Sequence, residues 1–227
     1  MRRIVNFVKF DFQSVLTYYK NIIYMLGLSL LVSILFNLVT GTVLLGMFII
    51  SVASYPFMLS ERSRFFMLSG SLPIARRELA NGRYGYAIVM NIGFLLISSV
   101  ITVAVCVAKG SVGDISMYLL AILVVSLYIV FTISLQYVFL FKLGYAKSKI
   151  IITVPMISIF VAYSAFRAII GSKTENVAEW LVANGGDFIK TAMSYVPLFF
   201  AAAVVVSALI YGGSIVISRR IYAKKEY

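Results

Sequence analysis

The chain has 227 residues, of which 62% are hydrophobic and 12% charged, with a formal net charge of +12 and a mean hydropathy of +1.00. A water-soluble domain of this length needs a charged surface that this composition does not supply, so soluble folds are excluded and the solvent is lipid. The absence of histidine removes metalloprotease helix motifs, histidine-based catalytic dyads and most zinc sites, and no Gly-rich phosphate loop ending in Gly-Lys-Ser/Thr occurs.

The first 20 residues place Ile4, Val8, Phe12, Val15 and Tyr19 at helical spacing, with Arg2, Asn6, Lys9, Gln13 and Thr17 on another face. This pattern predicts an amphipathic helix at the membrane interface; packing against the cytoplasmic ends of neighbouring spans is the alternative. No short apolar core with a small-residue cleavage site precedes it, so no cleavable signal peptide is expected.

Six apolar runs follow, each near the roughly 20 residues that cross a hydrocarbon layer of about 30 Å. They occupy 21–39, 41–59, 84–107, 115–141, 150–170 and 195–217. They lack the alternation of barrel strands, and a lipid-facing backbone must satisfy its own hydrogen bonds, so all are expected to be helices. Thr40 and Gly41 mark the expected turn between the first two. Pro56 and Pro155 fall inside the second and fifth spans, where each removes a backbone bond and predicts a kink suited to a gate. Asn37, Asn91 and Gln136 read as interhelical hydrogen-bonding groups, and the single cysteine, Cys106, as a small apolar filler. No Asp or Glu lies inside a span, which excludes an intramembrane aspartyl protease. Between the last two spans, 171–194 is patterned as an external helical hairpin, broken at Gly185 and Gly186, with Trp180 as an interfacial anchor.

Orientation follows from the basic residues, which short translocated loops exclude. Arg2, Arg3, Lys9 and Lys20 precede the first span; Arg62, Arg64, Arg76, Arg77 and Arg83 lie between the second and third; Lys142, Lys147 and Lys149 lie between the fourth and fifth; Arg219, Arg220, Lys224 and Lys225 end the chain. Only Lys109, Arg167, Lys173 and Lys190 fall on the other side. Both termini are therefore expected in the cytoplasm, and the basicity reflects topology, not nucleic-acid binding. The chain reads as one all-α, six-span transmembrane domain.

The connection at 60–83 is the only sizeable cytoplasmic one. Glu61, Arg62 and Arg64 precede Phe65 and Phe66; Leu72, Pro73 and Ile74 make an extended step, because the residue before a proline disfavours the helical region; Arg76, Arg77 and Glu78 then open a basic helix. A projecting amphipathic element of this kind suits a partner protein's grip, and a loop dipping its Phe and Leu side chains into the interface is the other reading.

These residues, with Arg83-Tyr84 and the N-terminal Lys9-Phe10-Asp11-Phe12, resemble the permeases of ABC-2 type transporters, and the likeness runs end to end. It is nearest to small bacterial permeases that export amphipathic peptides, including phenol-soluble modulins, and to relatives in antimicrobial-peptide immunity. Ser60 and the Phe65-Phe66 pair depart from the second acidic residue and the tryptophan that the family often carries. The resemblance implies a bacterial cell-membrane permease that pairs with a second copy or a related permease. Two ABC ATPase subunits would dock on Glu61, Arg62, Arg64, Phe65, Phe66, Leu72, Pro73, Arg76 and Arg77. It also implies that ATP is bound and hydrolysed by the partner, that this chain has no cofactor, and that the substrate is a peptide. Two rivals remain at this level: a six-span small-molecule-binding subunit of an energy-coupling-factor importer, and a membrane-embedded enzyme.

Overall fold

The computed structural model describes residues 2–62, 76–110, 115–148, 150, 153–154, 157–158, 161 and 200–223. Seven main helices, numbered in chain order, account for most of these: α1 (Arg2–Leu16), α2 (Tyr19–Leu35), α3 (Leu38–Ala53), α4 (Tyr55–Arg62), α5 (Arg76–Lys109), α6 (Ile115–Leu143) and α7 (Phe200–Ala223). No strand occurs among the described residues. Four segments are long and apolar enough to cross a membrane: Leu38–Arg62, which joins α3 and α4, Arg77–Lys109, Tyr118–Leu143 and Phe200–Ala223. A fifth is added if α1 and α2, which meet at 78°, form one bent span. The run at 150–170, the hairpin at 171–194 and residues 63–75 of the long connection lie wholly or mostly outside the described residues.

The surface is inverted relative to a soluble protein. Leu96, Val100 and Leu209 are each about two-thirds exposed, whereas Ser98, Thr102, Thr132, Ser134 and Gln136 are buried. Apolar side chains turned outward and small hydroxyls turned inward are what a lipid solvent selects, and the chain is a multi-pass membrane protein. The core forms where α3 and α4 meet α5 and α6, through Ile50, Phe57, Tyr84, Phe94, Ile129 and Tyr137.

The turn between α2 and α3 falls at Phe36 and Asn37, earlier than the expected Thr40 and Gly41. Asn37 is extended (φ −158°) and its Oδ1 accepts from the Val39 N–H at 3.1 Å, so this residue is a helix cap and not an intramembrane glue residue. Gly41 serves close packing instead: a Cβ there would lie 2.8 Å from the Ser29 carbonyl oxygen and overlap the Ser33 hydroxyl. The third span is also longer than its apolar run. Its helix, α5, runs unbroken for 34 residues from Arg76, so the basic stretch and the span form a single rod. α6 ends at Gly144, whose φ of +82° is easily reached only by glycine.

α1 lies against the other helices, the alternative noted above. Val8 approaches Gly85, Val15 packs with Val52 and Tyr86, and Asp11 is buried. Val5, Phe10, Phe12 and Leu16 remain exposed, so a second apolar face is left for the interface.

Contacts among the elements sort the bundle into two ends. Arg62, Arg83, Lys142 and Arg219 gather at one, here called the basic end, around contacts linking Glu61 to Tyr145, Arg83 to Asp11 and Arg219 to Asn81. At the other, the Lys109 ammonium donates to the Ile34 carbonyl at 3.1 Å. Lys109 thus lies apart from Arg62, Arg83, Lys142 and Arg219.

Candidate functional site

The second span breaks where proline demands it, two residues ahead of the ring. Ser54 leaves the helix, and Tyr55-Pro56 opens α4. Pro56 has no N–H to give to Val52, and the Phe57 N–H turns to Ser54 (3.1 Å), away from Ala53. Both carbonyls recruit donors from other helices: the Tyr137 hydroxyl on α6 reaches Ala53 at 2.8 Å, and the Tyr86 hydroxyl on α5 reaches Val52 at 3.5 Å. Within a membrane no water relieves such a carbonyl, so a break is tolerated only where neighbours re-satisfy it. The break in the helical hydrogen bonding expected at Pro56 is present, and it is stitched to α5 and α6.

Below the break sits Arg83, 2% exposed, on α5. Its Nε lies 3.6 Å from the Asp11 carboxylate, its guanidinium carbon is 4.2 Å from the centre of the Phe57 ring, and its Nη2 donates to the Ser60 hydroxyl, which in turn donates to the Pro56 carbonyl. One side chain therefore clamps α1, α4 and α5. The Tyr84 ring beside it meets Tyr137 at 5.1 Å and Tyr211 at 5.3 Å, edge to face. The Tyr84 hydroxyl bonds Ser218 at 2.8 Å, and the Tyr211 hydroxyl donates to the Tyr84 carbonyl at 2.5 Å, which joins α7 to the same node.

Glu61 and Arg62 occupy the last turn of α4 and are exposed. The Glu61 Oε2 accepts from the backbone N–H groups of Tyr145 (2.8 Å) and Ala146 (3.1 Å), the first residues of a helical turn that follows Gly144. A carboxylate at a helix N-terminus satisfies unpaired donors and meets the positive end of the dipole. It also ties the connection after α4 to the connection after α6.

Of the remaining residues expected at this site, Arg76 is the first of α5, and Arg77 is exposed beside it. Arg64, Phe65, Phe66, Leu72, Pro73 and Pro155 lie outside the described residues. Sequence reasoning misses the clamp: Asp11 and Arg83 enter it as parts of the motifs that carry the family resemblance, Arg83 also as a basic residue of one connection, and Tyr86 and Tyr137 only as parts of apolar runs. Asn91 behaves as expected, exchanging hydrogen bonds with Ser126 at 2.9 and 3.2 Å. A mostly apolar cavity of about 250 Å³ between α5, α6 and α7 is bordered by Asn91, Ile133, Ser207 and Tyr211. Among the described residues no group of three or more His, Cys, Asp or Glu side chains is placed to hold a metal ion.

A family model described as ABC-2 family transporter protein matches residues 6–223, nearly the whole chain. The chain belongs to the ABC-2 transporter family. No curated protein and no solved structure matches it significantly. ABC-2 membership suggests a permease subunit of an ABC exporter, and it implies an ABC ATPase partner in general terms. It does not favour the importer alternative.

Proposed function

We propose that this ABC-2 chain is the membrane-spanning half of an exporter that moves amphipathic or antimicrobial peptides out of a bacterial cell, with six spans and both termini in the cytoplasm. It works with a second permease, identical or related, and with two ABC ATPase subunits that bind and hydrolyse the ATP; the chain itself carries no catalytic site and no cofactor. The ATPases dock on the connection at 63–75 and its flanks, through Phe65, Phe66, Leu72 and Pro73 together with Glu61, Arg62, Arg64 and Arg76.

The observation that carries this reading is the footing of that connection. It leaves the end of α4, the short helix that opens at the stitched break at Pro56, is anchored to the next basic-end connection by Glu61, and re-enters at the start of the continuous rod α5. Force applied to it reaches three helices through backbone-level contacts, as coupling to ATPase closure requires. Pro56 is the bend that can open or close, and Pro155 is a second candidate. The peptide assignment draws on the family resemblance and on the apolar cavity between α5, α6 and α7.

The test is co-purification of the ATPase with wild-type and Phe65→Ala/Phe66→Ala permease, together with peptide-stimulated ATP hydrolysis in liposomes. Truncating a buried interface anchor costs roughly 2 kcal/mol or more, so complex yield and stimulation fall while detergent thermal stability holds. Unchanged yield and stimulation in the double variant sink the docking assignment. A broad peptide panel without effect sinks the substrate assignment.

A further inference from the structure

A second cavity, of about 340 Å³, lies at the basic end between the start of α5 and the last turns of α7, bordered by Arg77, Val216, Arg219, Arg220 and Ala223. Three of these five residues are arginines. Arg219 is half-buried and holds Asn81 through Nε at 2.6 Å, while Arg77 and Arg220 are exposed. Among the described residues none of the three has a carboxylate partner; the ion pair formed nearby belongs to Arg83 and Asp11. Three arginines around one concave space, none with a carboxylate partner among the described residues, fit a phosphate group.

The setting on α7 distinguishes between phosphate sources. Leu209, Val216, Arg220 and Ala223 recur at spacings of three, four and seven and so share one helix face. Leu209 and Val216 are exposed by 69% and 46%, and a side chain at Gly213, on the same stripe, would meet open space. The stripe is apolar along the span and turns basic at the cleft. An acyl chain lying on the apolar part places its headgroup phosphate among the arginines, at the level where a span meets the headgroups. A free phosphate gains nothing from the apolar stripe.

We infer that Arg77, Arg219 and Arg220 form a binding site for the phosphate of an anionic phospholipid. The inference does not depend on the substrate; it gives a lipid partner to Arg77, which the family resemblance groups with the ATPase-docking residues.

The experiment uses the full-length chain in nanodiscs of neutral phosphatidylcholine with or without phosphatidylglycerol, followed by native mass spectrometry of retained lipid. Wild type is expected to retain phosphatidylglycerol selectively. Each Arg→Gln change weakens retention about fivefold, the equivalent of ~1 kcal/mol per basic residue at an anionic surface. Lys142→Gln/Lys147→Gln, at the same end but outside the cleft, should leave retention unchanged. Photo-crosslinking of wild type with a headgroup-labelled phosphatidylglycerol keeps the test decisive where a variant fails to fold, and adducts are expected within 77–81 and 216–223. Adducts spread over all basic segments, or equal loss in the Lys142/Lys147 control, overturn the site. Inorganic phosphate that displaces the lipid at equal concentration overturns the lipid assignment.

Discussion

At the basic end, helices are joined by long side chains reaching across to backbone atoms or buried charges of another helix: Tyr137 to Ala53, Arg83 to Asp11, Glu61 to Tyr145 and Ala146. At the opposite end, apart from the Lys109 ammonium on the Ile34 carbonyl, they are joined by close packing, with Gly41 pressed on Ser29 and Ser33, and Leu38 packed on Val105 and Cys106. The two modes differ in tolerance. Close packing of small residues has one geometry and resists displacement, whereas hydrogen-bonded and charged links can exchange partners while remaining satisfied. The end that receives the ATPase in our proposal is the end built from exchangeable links.

The comparison can be broken most forcefully at Arg83. Replacing it with Ala leaves the Asp11 carboxylate buried without its guanidinium and should lower stability by roughly 3–5 kcal/mol, read as a detergent thermal shift. Adding Asp11→Asn should recover more than half of that loss. No recovery would mean that Arg83 acts mainly through Phe57 and Ser60.

Gly41→Ala probes the other end. The added methyl meets a carbonyl that cannot move aside, so a loss of about 1–3 kcal/mol is expected. A neutral result would show that α2 and α3 approach less closely than described. Tyr137→Phe should cost about 1–3 kcal/mol by stranding the Ala53 carbonyl, and Tyr86→Phe less, since its bond is longer at 3.5 Å. Equal effects from the two would contradict the geometry of the Pro56 break. Smallest is Glu61→Gln, which keeps an acceptor but loses its charge at the helix N-terminus. About 0.3–1 kcal/mol is expected, shrinking as salt rises, and a salt-independent loss would remove the dipole argument.

The sequence discloses what depends on apolar length and hides what depends on a partner. α6 begins and ends within two residues of its apolar run because hydrocarbon thickness sets both ends. The α2–α3 turn was misplaced because Gly41 carries a turn residue's signature while serving as a contact surface, and Asn37 looks the same in sequence whether it caps or glues. Glu61 stands out as the acidic residue opening a basic connection. Its partners are backbone N–H groups, which have no sequence signature at all. Tyr86 and Tyr137 are in the same position: nothing marks an aromatic in an apolar run as the donor to a carbonyl that a distant proline has freed.

The unbroken course of α5 bears on how motion crosses the bundle. At 34 residues it is about 51 Å long, well beyond the hydrocarbon layer, so its basic turns extend past the hydrocarbon to the headgroup level while its far end reaches Lys109 and the Ile34 carbonyl. An unbroken helix has no joint of the kind at Ser54, so a tilt imposed near Arg77 is carried toward the α2–α3 turn, while the neighbouring α3–α4 pair can flex instead. In mechanical terms the third span is a pushrod and the second is its knee.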